Sequence, residues 1–325
     1  MNKFLSLLLF LTSLLIFISC EENQKEILTL QNVQIITSVP SASGIICKGE
    51  NIWMIGDDAS SLFELDKQNN IKSSFQVSLM NRKENGRLLK SIKPDFESMD
   101  FFDNKILIMG SGSKKISRDT AILFDFEKKE ILAKKSFRPL FQKFLQVGGF
   151  DSLQSINMEG LASDDTYFYL LHRGNICGKN IVFQIKKEEL LAYFSKDILP
   201  EVQVHFFKLP TINGFLSGFS GACLTPDKSH LIFTSSVEST DDVYHDGEVL
   251  GSFIGLIPIK GENAWLNNTA IALKQGDSLV VTKLESVCVK SQDGNNLNLV
   301  CVSDNDNGES GIYHIQLNLE TILNN

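Results

Sequence analysis

The amino-acid sequence predicts an all-β fold, a five-bladed β-propeller with four-stranded blades whose ring is closed by the N-terminal strand. Three observations predict it. One Ser or Glu, a small residue and a short apolar run recur five times, at Ser43-Gly44-Ile45, Glu97-Ser98-Met99, Glu159-Gly160-Leu161, Ser220-Gly221-Ala222 and Glu285-Ser286-Val287, at intervals of 54 to 65 residues. Each copy leads into further short runs rich in β-branched and aromatic residues, separated by turn signals. The fifth copy ends one strand short, and Ile27 to Thr37 offers the missing run at the other end of the chain. Closing a ring hides the strand edges that an open array exposes. Two stacked β-sandwiches would leave five evenly spaced copies unexplained.

The chain opens with a targeting signal. Lys3 supplies a positive n-region, Phe4 to Ile18 an apolar stretch, and Ser19-Cys20 resembles a lipoprotein cleavage site. The expected organisation is a signal peptide at 1–19, a polar tether at 20–26 beginning with lipidated Cys20, and one propeller domain at 27–325. The expected location is the bacterial cell envelope, on an outer membrane, with the membrane reached through the N-terminal lipid. An uncleaved anchor is disfavoured because the apolar run is short for a spanning helix.

First strands begin at the five motif positions. Second strands are expected at Ile52–Ile55, Ile106–Met109, Phe168–Leu171, Leu231–Phe233 and Leu297–Val302, and third strands at Ser61–Leu65, Ala121–Phe126, Ile181–Ile185, Phe253–Ile257 and Gly311–Leu317. Fourth strands follow at Ser73–Val77, Glu130–Ser136, Val202–Phe207 and Thr269–Leu273. Helical spacing of apolar residues predicts insertions at Arg138–Val147 and Lys187–Lys196. Five cysteines remain after Cys20, widely spaced and mostly inside apolar runs, so buried free thiols are expected.

A formal net charge of -8 and the lack of a basic patch argue against nucleic acid as a partner. The repeat carries more chemistry. First strands line a propeller channel, so Ser43, Glu97, Glu159, Ser220 and Glu285 should converge at one mouth. Three carboxylates brought together raise one another's pKa and repel. A hard cation relieves this, and Ca²⁺, which takes six to eight oxygen ligands, suits an all-oxygen ring. No thiol or imidazole recurs at this register, which disfavours zinc.

The order Ser, Glu, Glu, Ser, Glu resembles the calcium-activated nucleotidases (apyrases), five-bladed propellers with one channel Ca²⁺. Further matches are Gly56-Asp57-Asp58, Lys93 with Glu97, Gly110-Ser111-Gly112, Asn157-Met158-Glu159-Gly160 with Arg173 and Asn180, Gly218-Phe219-Ser220 with Glu238, and Lys283-Leu284-Glu285. The chain is also similar to uncharacterised bacterial propeller lipoproteins with Lys-Pro-Asp-Phe-Glu and Arg-Gly-Asn elements. The resemblance implies a Ca²⁺-dependent hydrolase of phosphate esters or anhydrides. Its catalytic candidates are Asp57, Asp58 and Glu238 as bases or water-orienting groups and Lys93 and Arg173 as phosphate contacts. The chain departs from the family in having His172-Arg173 for a paired Arg, and Thr234, Ser235 and Ser236 where a Lys is expected. Such cations stabilise developing negative charge. A second reading therefore stands beside the first: a non-catalytic surface propeller binding a glycan, peptide or protein. An esterase on a related propeller is a third.

Overall fold

The structure is a computed structural model, and it describes residues 26–78, 83–84, 87–113, 117–150, 156–174, 177–239, 247–305 and 307–324. Cys20 and the signal peptide lie outside the described residues, as do Asn175 and Asp306.

Five antiparallel sheets form the ring. Blade I consists of Ala42–Lys48, Asn51–Gly56, Ser61–Leu65 and Ile71–Gln76. Blade II consists of Phe96–Phe102, Lys105–Gly110, Thr120–Asp125 and Glu130–Ser136. Blade III contains Met158–Ser163, Tyr167–His172, Asn180–Lys186 and Gln203–Phe207. Blade IV contains Phe215–Leu224, His230–Glu238, Val249–Pro258 and Thr269–Ala272, with a short extra strand, Thr211–Ile212, beside the first. Blade V is assembled from both ends of the chain: Leu284–Asp293, Asn296–Asp304, Ser310–Asn318 and then Leu28–Ile36, which pairs Leu28 with Leu317 and Ile36 with Ser310. The first strands of the blades touch one another around the ring, and the first strand of blade V meets that of blade I.

Apolar residues from each pair of neighbouring blades pack as one cluster. Trp53 of blade I meets Ile108 and Phe124 of blade II, Phe102 meets Phe168 across II and III, and Tyr169 and Phe219 join III to IV. Ile254 and Leu299 share the IV–V cluster, and Val300 and Met54 the V–I cluster. Such packing joins blades that share no backbone ladder, and side-chain hydrogen bonds such as Ser163 to Asp100 and Asn180 to the Ser217 carbonyl cross the same seams. At ~25 cal/mol per Å² of apolar surface removed from water, each buried aromatic of this kind stabilises the ring by about 2–3 kcal/mol. Both insertions are helices with the expected bounds, Arg138–Val147 and Lys187–Lys196. They seat Phe144 against Phe183, with ring centroids 4.2 Å apart, and Tyr193 against Phe137.

The cysteines depart from expectation. Cys47 and Cys288 form a disulfide, Cα atoms 5.9 Å apart, between the first strands of blades I and V. These two strands are neighbours only because the ring closes. The bond therefore joins residues 241 apart in sequence, a pairing that spacing cannot show. Cys177, Cys223 and Cys301 remain free.

Candidate functional site at the channel mouth

Each first strand carries a register shift near its start, and the residue inside every shift is the one singled out by the repeat. The shifts lie between Ala42 and Gly44, Phe96 and Ser98, Met158 and Gly160, Phe219 and Gly221, and Leu284 and Ser286. Ser43, Glu97, Glu159, Ser220 and Glu285 are thus bulge residues. A bulge leaves one residue outside the ladder and re-aims its side chain. Here it occurs five times at one end of the ring.

The residue after each bulge is small because the first strands approach closely there. A Cβ on Gly221 would lie 2.5 Å from Ser286 Cα and 2.9 Å from the Glu285 carbonyl oxygen. A second repeated element completes the mouth. Asp57, Ser111 and Arg173, each just beyond a second strand, donate their backbone N–H to the carbonyl two residues before a bulge, on Ser41, Asp95 and Asn157 respectively, at 2.9 to 3.0 Å. This bond places the side chains of Asp57 and Arg173 beside the bulge carboxylates.

Charges at the mouth divide into two groups. In the first, Arg173 lies 2.6 Å from Glu238, 3.9 Å from Glu285 and 4.0 Å from Glu159. Lys283 bridges Glu238 at 3.3 Å and Glu285 at 3.1 Å, and the Asn157 amide donates to Glu159 at 2.6 Å. In the second, Lys93 pairs with Asp57 and lies 2.9 Å from Asp95, which also receives Arg118 at 2.9 Å and the hydroxyl of Ser111. Ligand atoms of Asp57, Asp95 and Glu97 all fall within 4.8 Å of one another. Asp58 stands apart, paired with Arg87 and accepting from the Ser41 hydroxyl at 3.3 Å.

Each of the two groups thus sets three carboxylates against two cations, leaving one negative charge in each. Proton affinities follow. Burial, then the neighbouring charges of Glu159, Asp95 and Asp57, holds Glu97 well above the usual carboxylate range. Burial raises Glu159 to about 7 against the pull of Arg173, and raises Asp57 to about 6 against the pull of Lys93. Glu238 goes the other way: burial would raise it, but Arg173 and Lys283 hold it below its ordinary value. Arg173 is buried and Lys283 half-buried, yet their carboxylate neighbours outweigh the desolvation and keep both protonated. Among the described residues three buried carboxylate oxygens, Asp57 Oδ1, Asp58 Oδ1 and Glu285 Oε2, accept no hydrogen bond.

The site differs from expectation in two ways. Ser43 and Ser220 stand at their bulges, but both hydroxyls already hydrogen-bond within the protein: Ser43 donates to the Phe96 carbonyl of the next blade, and Ser220 bonds Thr234 at 3.1 Å and Ser236 at 3.2 Å in its own sheet. The cations anticipated as open phosphate contacts, Arg173 and Lys93, are engaged by carboxylates, and the anticipated bases Asp57, Asp58 and Glu238 are ion-paired. A surplus of buried acid captures every cation within reach. Asp95, Arg118, Arg87 and Lys283 join the site although the repeat does not single them out. Asp95 and Lys283 each lie two residues before a bulge glutamate, on the same side of the chain, a spacing that could have found them.

His172 precedes Arg173 and points away from this network. Its Nδ1 lies 3.0 Å from the backbone nitrogen and oxygen of Asn157, and its Nε2 is 3.6 Å from Cys177 Sγ. Burial lowers it to about 4, so it is neutral in the fold. A lowered folded pKa gives stability that is present above the unfolded value of 6.5 and lost as pH falls towards 4. Asp57, Asp100 and Glu159 have the opposite sign: their raised values give stability at low pH that is lost as pH rises towards 6 or 7. The two trends mask each other in the native protein. Comparing His172→Gln with the native chain by urea unfolding isolates the first, and the native chain's advantage should shrink by about 2 kcal/mol between pH 7 and pH 5.

A family model described as Family of unknown function (DUF6929) matches residues 38–317. The chain belongs to this family. The matched DUF6929 region contains all five bulges. Among solved structures, the chain is similar to hydrazine synthase of Kuenenia stuttgartiensis, at 11% identity over 86% of this chain and a TM-score of 0.42, and it spans 60% of that chain. It is likewise similar to the β-propeller domain of Myceliophteria thermophila Cps50 (Swd1), at 10% identity over 86% of this chain and 99% of that one, with a TM-score of 0.38. No curated protein matches the sequence.

Proposed function

We propose that the channel mouth is a divalent-cation centre suited to Ca²⁺, in an envelope lipoprotein that hydrolyses phosphate esters or anhydrides. The observation that carries this reading is the charge balance at the bulges: two groups of three carboxylates against two cations leave two negative charges, the charge of one divalent ion. The donor set is all oxygen, and the orphaned Asp57 Oδ1 and Glu285 Oε2 fit an ion better than they fit the protein alone. Glu97, Glu159 and Glu285 would hold the ion, with Asp57 and Asp95 beside Glu97. Ser43 and Ser220 would add neutral oxygens through their free lone pairs. Bound there, the ion would act as a Lewis acid towards a phosphoryl oxygen.

The protein's own groups would bind and orient. Arg173, within 4.0 Å of Glu159 and Glu285, and Lys93, paired with Asp57 and Asp95, are the cations a ligand phosphate would meet at the mouth, with Lys283 beside Glu285. Glu238 is held ionised by Arg173 and Lys283, so it suits orientation of a water better than donation of a proton. The apyrase resemblance at Glu97, Glu159, Arg173 and Glu285 points the same way. Purified lipid-free domain should release phosphate from nucleoside di- or triphosphates in Ca²⁺, and chelator should abolish the release. No turnover on any nucleotide or phosphoester removes the hydrolytic reading.

One observation favours the second reading, a non-catalytic propeller binding a glycan, peptide or protein at a calcium-stiffened mouth. Arg173 and Lys93 already satisfy carboxylates, and a phosphate would have to compete for them. Calcium binding without turnover decides for it.

A further inference from the structure

We infer that the channel mouth faces away from the membrane that carries the lipid, so that its ligand is a water-soluble molecule and not a lipid headgroup of that membrane. This inference rests on the lipoprotein reading made above and adds to it the direction of the first strand.

Bulge residues lie at the start of the first strand in four blades and at mid-strand in the longer one of blade IV, and from the bulge onward first strands run away from the mouth. In blade V, Leu284 pairs with Ser303 at the mouth end, and Asp293 pairs with Asn296 at the far end. The following strand, Asn296–Asp304, returns to the mouth, and Ser310–Asn318 leaves it again, with Asp304 opposite Ser310 and Asn296 opposite Asn318. The N-terminal strand pairs antiparallel to that one, Leu28 opposite Leu317 and Ile36 opposite Ser310. Leu28 is therefore at the far end, and the Ile27 carbonyl accepts from Asn318 N–H at 2.9 Å there. The chain enters the propeller from the face opposite the mouth.

Tether length then bears on the orientation. Eight steps of chain lead from Cys20 to Leu28, and fully extended they span at most about 28 Å. The strand Leu28–Ile36 also has eight steps and climbs about 26 Å from the far face to the mouth. Only a tether drawn fully straight up the side of blade V reaches the rim, and every shorter course leaves a lipid on Cys20 against the far face or the flank. The arrangement that needs no such extension puts the far face on the bilayer and turns the mouth away from it. Among phosphate esters, this selects soluble ones over phospholipids of the anchoring membrane.

The test uses the full-length lipidated protein in vesicles doped with a headgroup-labelled nitroxide lipid. Cys177→Ser and Cys223→Ser remove the two half-buried thiols, and single labels are placed at Asn324→Cys on the far face or at Asn307→Cys on the mouth rim. Both positions are exposed, and neither belongs to the site. Quenching of the far-face label should exceed that of the rim label several-fold. Equal quenching, stronger rim quenching, or quenching of neither in vesicle-bound protein overturns the inference. Hydrolysis of vesicle phospholipid headgroups in place of soluble phosphoesters also overturns it. Intact mass of the same preparation separates the two readings: protein without a lipid on Cys20 overturns the lipoprotein reading, and this inference with it.

Discussion

Replacing Arg173 by Leu should destabilise the propeller by about 3–5 kcal/mol, the range found when one partner of a buried charge network is removed. The guanidinium is 6% exposed and faces three carboxylates, of which Glu238 is the nearest at 2.6 Å. Without it, Lys283 alone balances Glu159, Glu238 and Glu285, and at least one of them must take a proton or attract water into the channel. The loss should therefore be larger at pH 8 than at pH 5, where raised carboxylates such as Glu159 are already neutral. Added Ca²⁺ should recover part of the loss, because a cation on the vacated carboxylates replaces the missing charge. Denaturant melts of the variant with Ca²⁺ and with chelator check both parts. A loss below 1 kcal/mol, or no response to Ca²⁺, goes against the network as described.

Gly221→Ala should cost about 3 kcal/mol, at the upper end for overpacking a tight interior. One methyl group is small, but here it meets fixed backbone, Ser286 Cα at 2.5 Å and Glu285 O at 2.9 Å, as well as the buried Thr234 hydroxyl oxygen at 2.7 Å. Relief requires the first strands of blades IV and V to separate at the bulge that carries Glu285. Stability and any calcium affinity should fall together. The control is Gly276→Ala, at a turn where an added Cβ meets nothing within 4 Å. Its φ of +60° is strained for Ala, so it carries a backbone cost without any disturbance of the channel. If Gly276→Ala lowers calcium affinity as much as Gly221→Ala does, close approach at the mouth is not what holds the ring in place.

The five bulge residues could be read from the sequence because they recur. Ser43, Glu97, Glu159, Ser220 and Glu285 each precede a small residue and an apolar run, and no other pattern repeats five times at blade spacing. Blade V could be read because its missing strand and the spare run at the N-terminus are complementary. Asp95 and Lys283, two residues before Glu97 and Glu285, become legible once the bulge positions are fixed. Arg118 and Arg87 do not: Arg118 reaches Asp95 from the end of a connection within blade II, and Arg87 reaches Asp58 from a short strand between blades. No periodicity links these two to the repeat. Cys47 and Cys288 escaped for a related reason: each sits at nearly the same register of its own blade, and only ring closure makes the two blades neighbours.

The same contrast explains the cations. Sequence shows that Arg173 and Lys93 lie near carboxylates, but not how many carboxylates compete for them. Once burial strips water from the mouth, ion pairing of Arg173 with Glu238 and of Lys93 with Asp57 and Asp95 outweighs solvent exposure. Among the described residues Glu97 and Glu159 are left without a close cation of their own, and burial raises the proton affinity of both; under the proposed function a bound cation would take the place of those protons.

Calorimetric titration of Ca²⁺ into the lipid-free domain at pH 7.5 tests the central claim most directly, set beside the double variant Glu97→Gln, Glu159→Gln. The account predicts one ion per native chain and no measurable binding to the variant, with the variant folded and melting normally in chelator. No heat on titrating the native domain, or equal affinity in the variant, would contradict it.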